Sequence, residues 1–373
     1  MPSQFAIPSS WNARTLSSLR TKLLKWFDAN QRDLPWRASR DPYRIWVSEV
    51  MLQQTTVAAV VPYFERFLAA FPTVAALAAA DEQQVLKLWE GLGYYRRARH
   101  LHAAARVLAD HAALPDDPNV WAGLPGVGRY ILGAVLSQAF DRKLPIVEAN
   151  SMRVLARLFG YRGDPREGDG KKWVWQAAES LLPEQRAGDF NQAMMELGAL
   201  VCTPTSPRCS MCPLAAKCVA NRHGLQDAIP PKKKPKDTVI VREIGLAIRD
   251  RDKWLLCQRT PDATRWQNMW EVPHTEWHDG EDAATAAIRV AKELTGLTVK
   301  VDGEVMTIRH TVTRHAITLA VMEATRVRGR FASHMYTAAK WLTSREMLDY
   351  PVSAPQRVLM NELANPKRQR RLF

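Results

Sequence analysis

The sequence predicts two domains of different class: a mainly α N-terminal domain over residues 1–225 and an α+β C-terminal domain over 238–364, with a linker at 226–237 and a basic tail at 365–373. Three observations predict this. From about residue 13 to 221, apolar residues recur at helical spacing with little sustained alternation. The texture then breaks at Ile229-Pro-Pro-Lys-Lys-Lys-Pro-Lys236, where prolines and like charges with no apolar face read as a solvated, extended linker that could also touch DNA. Beyond it, β-branched and alternating runs begin at Thr238. A chain of 373 residues is long enough for two such cores.

In the first domain, Leu16, Leu19, Leu23, Trp26 and Phe27 form the apolar stripe of an opening helix. Asp81 with Gln84 reads as a capping box, Val85, Leu88 and Trp89 as the stripe behind it, and Gly91 as a left-handed C-terminal residue. Further helices are expected near 94–110, 130–140, 150–158, 171–182 and 190–200. In the second domain, Thr238–Ile248 and Trp254–Gln258 read as strands around a polar turn at 250–253. A helix over about 280–295 stops near Gly296, strands resume at Val305–Val312 and Ile317–Met322, and a last helix covers about 353–364. There is no internal repeat, and the tail Pro366-Lys-Arg-Gln-Arg-Arg371 reads as disordered.

Charge narrows the partner. With 52 Lys+Arg against 38 Asp+Glu, the net +14 suits a polyanion. A membrane is the other polyanion, but no uninterrupted apolar run approaches the roughly 18 residues of a span. The start Met1-Pro-Ser-Gln-Phe-Ala-Ile also lacks a basic segment before a long apolar one. The expectation is a soluble, intracellular protein without a membrane partner, cytoplasmic and nucleoid-associated if the source is bacterial. One candidate site per chain makes a monomer sufficient.

Five cysteines in so long a chain are no disulfide framework. Cys257 lies in a strand-like run and reads as a small buried hydrophobe. The other four, Cys202, Cys209, Cys212 and Cys218, follow a Cys-x6-Cys-x2-Cys-x5-Cys pattern within one loop, which points to a metal. Spacing does not choose between zinc and iron with sulfur, since four-cysteine sites serve both.

The stretch Leu124–Asn150 carries the next signal. In Leu124-Pro-Gly-Val-Gly128, glycines let backbone amides of Gly126, Val127 and Gly128 approach an anion, and a helix beginning near Arg129 adds its positive end. Glu148 stands just ahead of another helix, where a carboxylate is stabilised by free amides. An ordinary turn and an ordinary cap are the plainer readings of the same residues. Glu49, between Trp46-Val47 and Val50-Met51-Leu52, reads either as a solvent-facing helical glutamate or as a desolvated carboxyl whose raised pKa suits a general acid.

Taken together, Leu34-Pro-Trp-Arg37, Ser48-Glu-Val-Met-Leu-Gln-Gln-Thr55, Gly91-Leu-Gly-Tyr-Tyr95, Leu124–Gly128, Phe190–Gly198 and the four cysteines resemble the endonuclease III superfamily of DNA glycosylases and, more narrowly, its adenine DNA glycosylases of the MutY type. The resemblance implies a helix-hairpin-helix glycosylase domain with an iron–sulfur loop, followed by a Nudix-like domain. It implies a 4Fe-4S cluster on Cys202, Cys209, Cys212 and Cys218. It implies double-stranded DNA carrying adenine opposite 8-oxoguanine or guanine as the substrate. Glu49 matches the acid that protonates the adenine ring, and Glu148 the carboxylate that stabilises the sugar cation. Asn150 and Tyr130 support them, with Tyr130 hydrogen-bonding near Glu148. Bifunctional relatives place a lysine where this chain has Tyr130, so the resemblance implies a monofunctional enzyme that does not cut the strand. Arg37 matches a residue lining the adenine pocket, and Gln54 and Tyr94 match residues that fill or wedge the duplex.

The pattern is departed from in three places. The family's Asp-Gly-Asn is Glu148-Ala149-Asn150 here, one methylene longer at the carboxylate. The Nudix-box counterpart Gly280–Gly296 lacks the glutamate cluster that would hold magnesium, which argues against pyrophosphate hydrolysis. The Phe-Ser-His loop that reads 8-oxoguanine is replaced by Val312-Thr313-Arg314, so Thr313 and Arg314 become the candidates for lesion contact. A lesion-binding protein without catalysis and a bifunctional pyrimidine-type glycosylase are the rival readings.

Overall fold

Asn12 opens α1 (Ala13–Asn30) by accepting a hydrogen bond from the Thr15 amide, and the stripe Leu19, Leu23, Phe27 is buried from there on. The computed structural model describes residues 11–233 and 237–365. The linker residues 234–236 and the tail 366–373 lie outside the described residues.

After α1 come α2 (Pro42–Leu52), α3 (Val57–Ala70), α4 (Val74–Ala79), α5 (Glu82–Leu88), α6 (Arg96–Leu108), α7 (Pro118–Ala122), α8 (Arg129–Phe140), α9 (Ala149–Phe159), α10 (Gly168–Leu181), α11 (Ala187–Leu200) and α12 (Val219–His223). The core of this half joins the α1 stripe to Val154, Leu155 and Leu158 of α9, Val174 and Leu181 of α10, and Phe190, Met194 and Leu197 of α11. Each such side chain contributes about 1.5–3 kcal/mol on burial. Cys202, Cys212 and Cys218 pack against the same cluster.

The strands follow as β1 (Val239–Asp250), β2 (Lys253–Arg259), β3 (Trp270–Glu271), β4 (His274–Glu276), then α13 (Ala283–Thr295), β5 (Thr298–Val312), β6 (His315–Arg328), β7 (Tyr336–Leu342) and α14 (Ala354–Leu363). They form one mixed sheet in the order β3-β2-β1-β6-β5, with β4 also pairing β1 and β7 also pairing β2. β1 runs parallel to β6, while β5 and β6 form an antiparallel hairpin. Alternation along β1 sends Leu246 and Ile248 to the face covered by Ala287, Val290 and Leu294 of α13, and Ala247 to the face covered by Leu359, Met360 and Leu363 of α14. Cys257 is fully buried against α13's side, as a small hydrophobe would be.

Backbone proximity divides the chain into two compact units, one of residues up to Ala79 and from His100 to the linker, the other of Ala80–Arg99 and the residues beyond the linker. The helical segment 80–99, which periodicity alone attaches to the first domain, groups with the second. Glu90 accepts from both Nε and Nη2 of Arg357, and Tyr95 Oη donates to the Val352 carbonyl. Asp81 caps α5 by accepting from the Gln83 amide, so this start is an Asx cap on Gln83 rather than a box closed on Gln84. The expected solvated linker is also tied down at its beginning. Ile229 is buried and its carbonyl accepts from Arg157 Nε at 2.8 Å, while the Pro231 carbonyl accepts from Arg166. Two guanidiniums seeking carbonyl partners explain why the segment does not run free.

Candidate active site

Helices α2, α8, α9 and α11 all border one cavity of about 550 Å³ in the first unit. α2 brings Glu49, with every residue from Ile45 to Met51 buried and Glu49 itself 3% exposed. α8 brings Tyr130 and Gln138, whose separation of eight residues is about two turns and puts both on the face toward α2. Tyr130 Oη donates to Glu49 Oε2 at 2.5 Å and Gln138 Nε2 donates to Oε1 at 2.8 Å. The hydroxyl of Tyr130 is therefore bonded to Glu49, in the cavity that Glu148 also lines. Burial raises the pKa of the tyrosine, and Glu49 and Glu148 each raise it further.

Glu148 is the N-cap of α9. Its Oε1 accepts from the Ser151 amide at 2.7 Å and its Oε2 from the Asn150 amide at 2.8 Å, while Ser151 Oγ accepts from the Glu148 amide, closing a capping box. Asn150 Nδ2 adds a bond to Oε2 at 3.2 Å. Arg153 then fixes Asn150 by donating to its Oδ1, and reaches the carbonyls of Gly198 and Cys202 as well. α11 crosses here at close range. A Cβ on Gly198 would stand 2.6 Å from Asn150 Cβ, so only glycine lets the two helices meet.

Burial raises the Glu49 carboxyl, the bonds from Tyr130 and Gln138 oppose it, and Glu148 raises it further. Glu148 is raised too, because burial outweighs its two amide bonds. The amides at the helix start favour the ionised form of Glu148, and burial works against them. The two acids differ in their donors, side chains at Glu49 and backbone amides at Glu148.

Sequence reading missed four residues of the cavity: Arg32, Gln138, Gln192 and Glu196. Glu196, 1% exposed, accepts from Arg32 Nη2 at 2.7 Å and Arg37 Nη2 at 3.1 Å. Burial would raise its carboxyl, but the bonds from Arg32 and Arg37 outweigh burial and hold it at about 2. Arg37 also donates to Gln192 Oε1 at 2.9 Å. The motif Phe190–Gly198 contained both partners, and the helical interval of four between Gln192 and Glu196 was the available signal.

Of the residues expected to touch DNA, Arg37 and Gln54 line this cavity, Gln54 at an exposed turn with φ +60°. Tyr94 does not. It is 50% exposed, lies in the other compact unit and carries the Arg97 guanidinium 5.6 Å above its ring. At the glycine-rich turn, Gly126 has φ +75° and passes so near His100 that a Cβ would be 2.6 Å from the histidine's own. The Val127 amide is bonded to the Leu124 carbonyl at 3.2 Å, which closes the turn and removes Val127 from the anion grip. Gly128 caps α8 without a side-chain bond. In the second unit, Thr313 and Arg314 form the exposed two-residue turn between Val312 and His315, with Thr313 at φ +54° and its hydroxyl bonded to the Val312 carbonyl. They do not line the cavity.

The four clustered cysteines are free thiols. Burial pushes Cys212 up to about 12, and Cys202, Cys218 and Cys209 add to the rise. Arg157 Nη1 donates to Cys202 Sγ at 3.4 Å and Gln226 Nε2 to Cys209 Sγ at 3.7 Å. Among the described residues, no group of three or more His, Cys, Asp or Glu side chains is placed to hold a metal ion. No helix among them is long and apolar enough to cross a membrane.

Residues 47–180, which include Glu49, Tyr130, Gln138 and Glu148, match the HhH-GPD superfamily of base excision DNA repair proteins, and residues 244–362 match the NUDIX domain. The adenine DNA glycosylase of Buchnera aphidicola (subsp. Schizaphis graminum) is 34% identical over 255 residues, 68% of this chain and 73% of that protein. The chain belongs to the adenine DNA glycosylase family. It is thereby a DNA glycosylase of base excision repair. The Rattus norvegicus member is 39% identical over 254 residues, 64% of this chain, and the chain spans 49% of that longer relative. Among solved structures, a thermostable thymine-DNA glycosylase aligns with TM-score 0.50 and 29% identity, covering 56% of this chain and 98% of its own.

Proposed function

We propose that this chain is a monofunctional glycosylase that hydrolyses the N-glycosidic bond of adenine opposite 8-oxoguanine or guanine in double-stranded DNA. The observation that carries the reading is the buried Glu49 carboxyl in a cavity with room for a base, with Tyr130 bonded to it and Glu148 lining the same cavity. Glu49 is the acid that protonates the departing base, because desolvation favours its proton-bearing form. Glu148, with Asn150 on its Oε2, stabilises the positive sugar. Tyr130 offers no amine for a Schiff base, so the strand is left intact. Arg32, Arg37, Gln192 and Glu196 face the extruded adenine, and Gly126 and Gly128 hold the DNA backbone. Gln54 and Tyr94 fill the duplex, and Thr313 and Arg314 contact the 8-oxoguanine.

Cys202, Cys209, Cys212 and Cys218 would hold a 4Fe-4S cluster, a donor set that fits in number and softness. Held by these four thiolates, such a cluster would tie residues 202–218 together as a structural element, and the hydrolysis is assigned to Glu49 and Glu148. Residues 1–225 form the glycosylase domain and 238–364 the lesion-reading domain. The enzyme acts as a monomer in the cytoplasm, at the nucleoid if the source is bacterial.

The test is single-turnover release of adenine from duplexes carrying A opposite 8-oxoguanine, G or T. Release from the first two, with strand breakage only after added alkali, supports the proposal. Tight binding of the mispair with adenine unchanged after long incubation refutes it and favours a lesion-binding protein.

A further inference from the structure

Gln138 stands in the wall between two cavities. The larger is the one that holds Glu49; the smaller, of about 200 Å³, is bordered by Asp28, Arg40, Arg186 and Asp189, and both share Trp36, Arg37, Gln138 and Gln192. The side chain is 7% exposed, and its amide nitrogen is turned to Glu49 Oε1 at 2.8 Å. The donors on the two oxygens of Glu49 are not equivalent. A tyrosine hydroxyl can donate or accept, whereas an amide nitrogen only donates.

We propose that Gln138 is a positioning residue for the glycosylase reaction, making Oε1 of Glu49 the proton-free oxygen and so assigning the transferable proton to Oε2. The proposal rests on reading Glu49 as the acid. When Glu49 is ionised, Tyr130 and Gln138 both donate to it. When it is protonated and the amide keeps this orientation, Oε1 still accepts from Nε2, so the hydrogen sits on Oε2, where the Tyr130 hydroxyl can turn and accept it until a base takes its place. In the reaction, that proton passes from Oε2 to the base while the electron pair of the N-glycosidic bond leaves with the base. Water then adds its oxygen to the sugar and returns a proton to Glu49. A proton free to occupy either oxygen would face the base only part of the time.

Glu49 is faced by Tyr130 and Gln138 from α8, by Glu148 from the start of α9 and by Arg37. Gln138 is the uncharged, non-titrating member. Its replacement removes a donor and leaves the net charge as it was, which makes the effect readable.

The experiment compares the full chain with Gln138→Met, which keeps length without the donor, and Gln138→Asn, which keeps the amide but is too short to reach. Two readouts are followed against pH: single-turnover adenine release, and the Glu49 carboxyl band in difference infrared spectra of the DNA-free protein, assigned with Glu49→Gln. Release at neutral pH is expected to fall about tenfold in both variants. The band midpoint and the alkaline limit of activity should both move upward, because the ionised carboxylate has lost a donor. A midpoint unmoved in either folded variant overturns the proposal whatever the rates are. If the midpoint moves but the parent chain releases no adenine from any duplex, it is the glycosylase reading that fails, and with it the part assigned to Gln138 in catalysis.

Discussion

Two buried glutamates, Glu49 in the first unit and Glu271 in the second, are kept in opposite condition. Glu49 meets neutral donors, the Tyr130 hydroxyl and the Gln138 amide, so burial prevails and the carboxyl is raised. Glu271 on β3, 1% exposed, meets Arg259 Nε at 2.6 Å, the ring of His274 at 3.3 Å and the Tyr336 hydroxyl at 2.9 Å. Burial would raise it as well, but His274 and Arg259 outweigh burial and hold it at about 2. Equal depth thus raises the carboxyl in one place and lowers it in the other. Depth supplies the leverage, and the charge of the donors sets its direction.

The sharpest test of this contrast is Glu49→Gln. On the proposed mechanism, single-turnover adenine release should fall roughly 10²–10⁴-fold. Mispair affinity, read by fluorescence anisotropy, should stay within a few-fold. A loss of affinity equal to the loss of rate would show Glu49 to be a structural residue like its counterpart.

Second in size is Arg259→Met, which leaves Glu271 buried without its guanidinium. Unfolding by urea should show a loss of about 3–5 kcal/mol, the cost of breaking a buried pair from one side. A loss under about 1 kcal/mol would mean that His274 alone suffices.

How far this contrast is readable in the sequence differs between its two halves. The neighbours Trp46, Val47, Val50 and Met51 announce an apolar setting for Glu49, and all four are buried. Its donors are a different matter, since Tyr130 and Gln138 lie 81 and 89 residues away and only the packing of α8 on α2 joins them. A still larger separation hid Arg32 from Glu196, a pair 164 residues apart. In the second unit, β3 and β4 are two and three residues long and carry no periodicity to detect. The early part of β5 escaped because register shifts at Val301/Gly303 and Glu304/Met306 break the alternation on which a strand is recognised. Long amphipathic helices such as α1 needed no such help.

The pH dependence of stability sharpens the comparison further. Burial would lower His274, but Glu271 and Glu243 outweigh burial and raise it from 6.5 to about 9. A raised cationic group stabilises the fold fully below pH 6.5 and loses that contribution as pH rises through 9. Glu271, lowered from 4.5 to about 2, contributes above pH 4.5 and loses it as pH falls toward 2. Denaturation midpoints of the second unit should therefore decline between pH 6.5 and 9, and His274→Gln should flatten that decline.

The smallest effect expected is that of Glu148→Asp. Aspartate is as good an N-cap as any residue, so stability should hold within about 0.5 kcal/mol. Removing the extra methylene should raise the rate of adenine release by less than about tenfold. A slower Asp variant would show the longer side chain to be fitted to Ala149 and this cavity.

The start of α9 gathers several demands on a few positions. Glu148 closes the cap, Asn150 steadies it, Arg153 braces Asn150 against the cysteine loop, and Gly198 leaves the gap through which α11 passes. These contacts tie the positions to one another: a side chain at Gly198 would displace Asn150, and with it the bond that Asn150 gives Glu148 and the one it receives from Arg153.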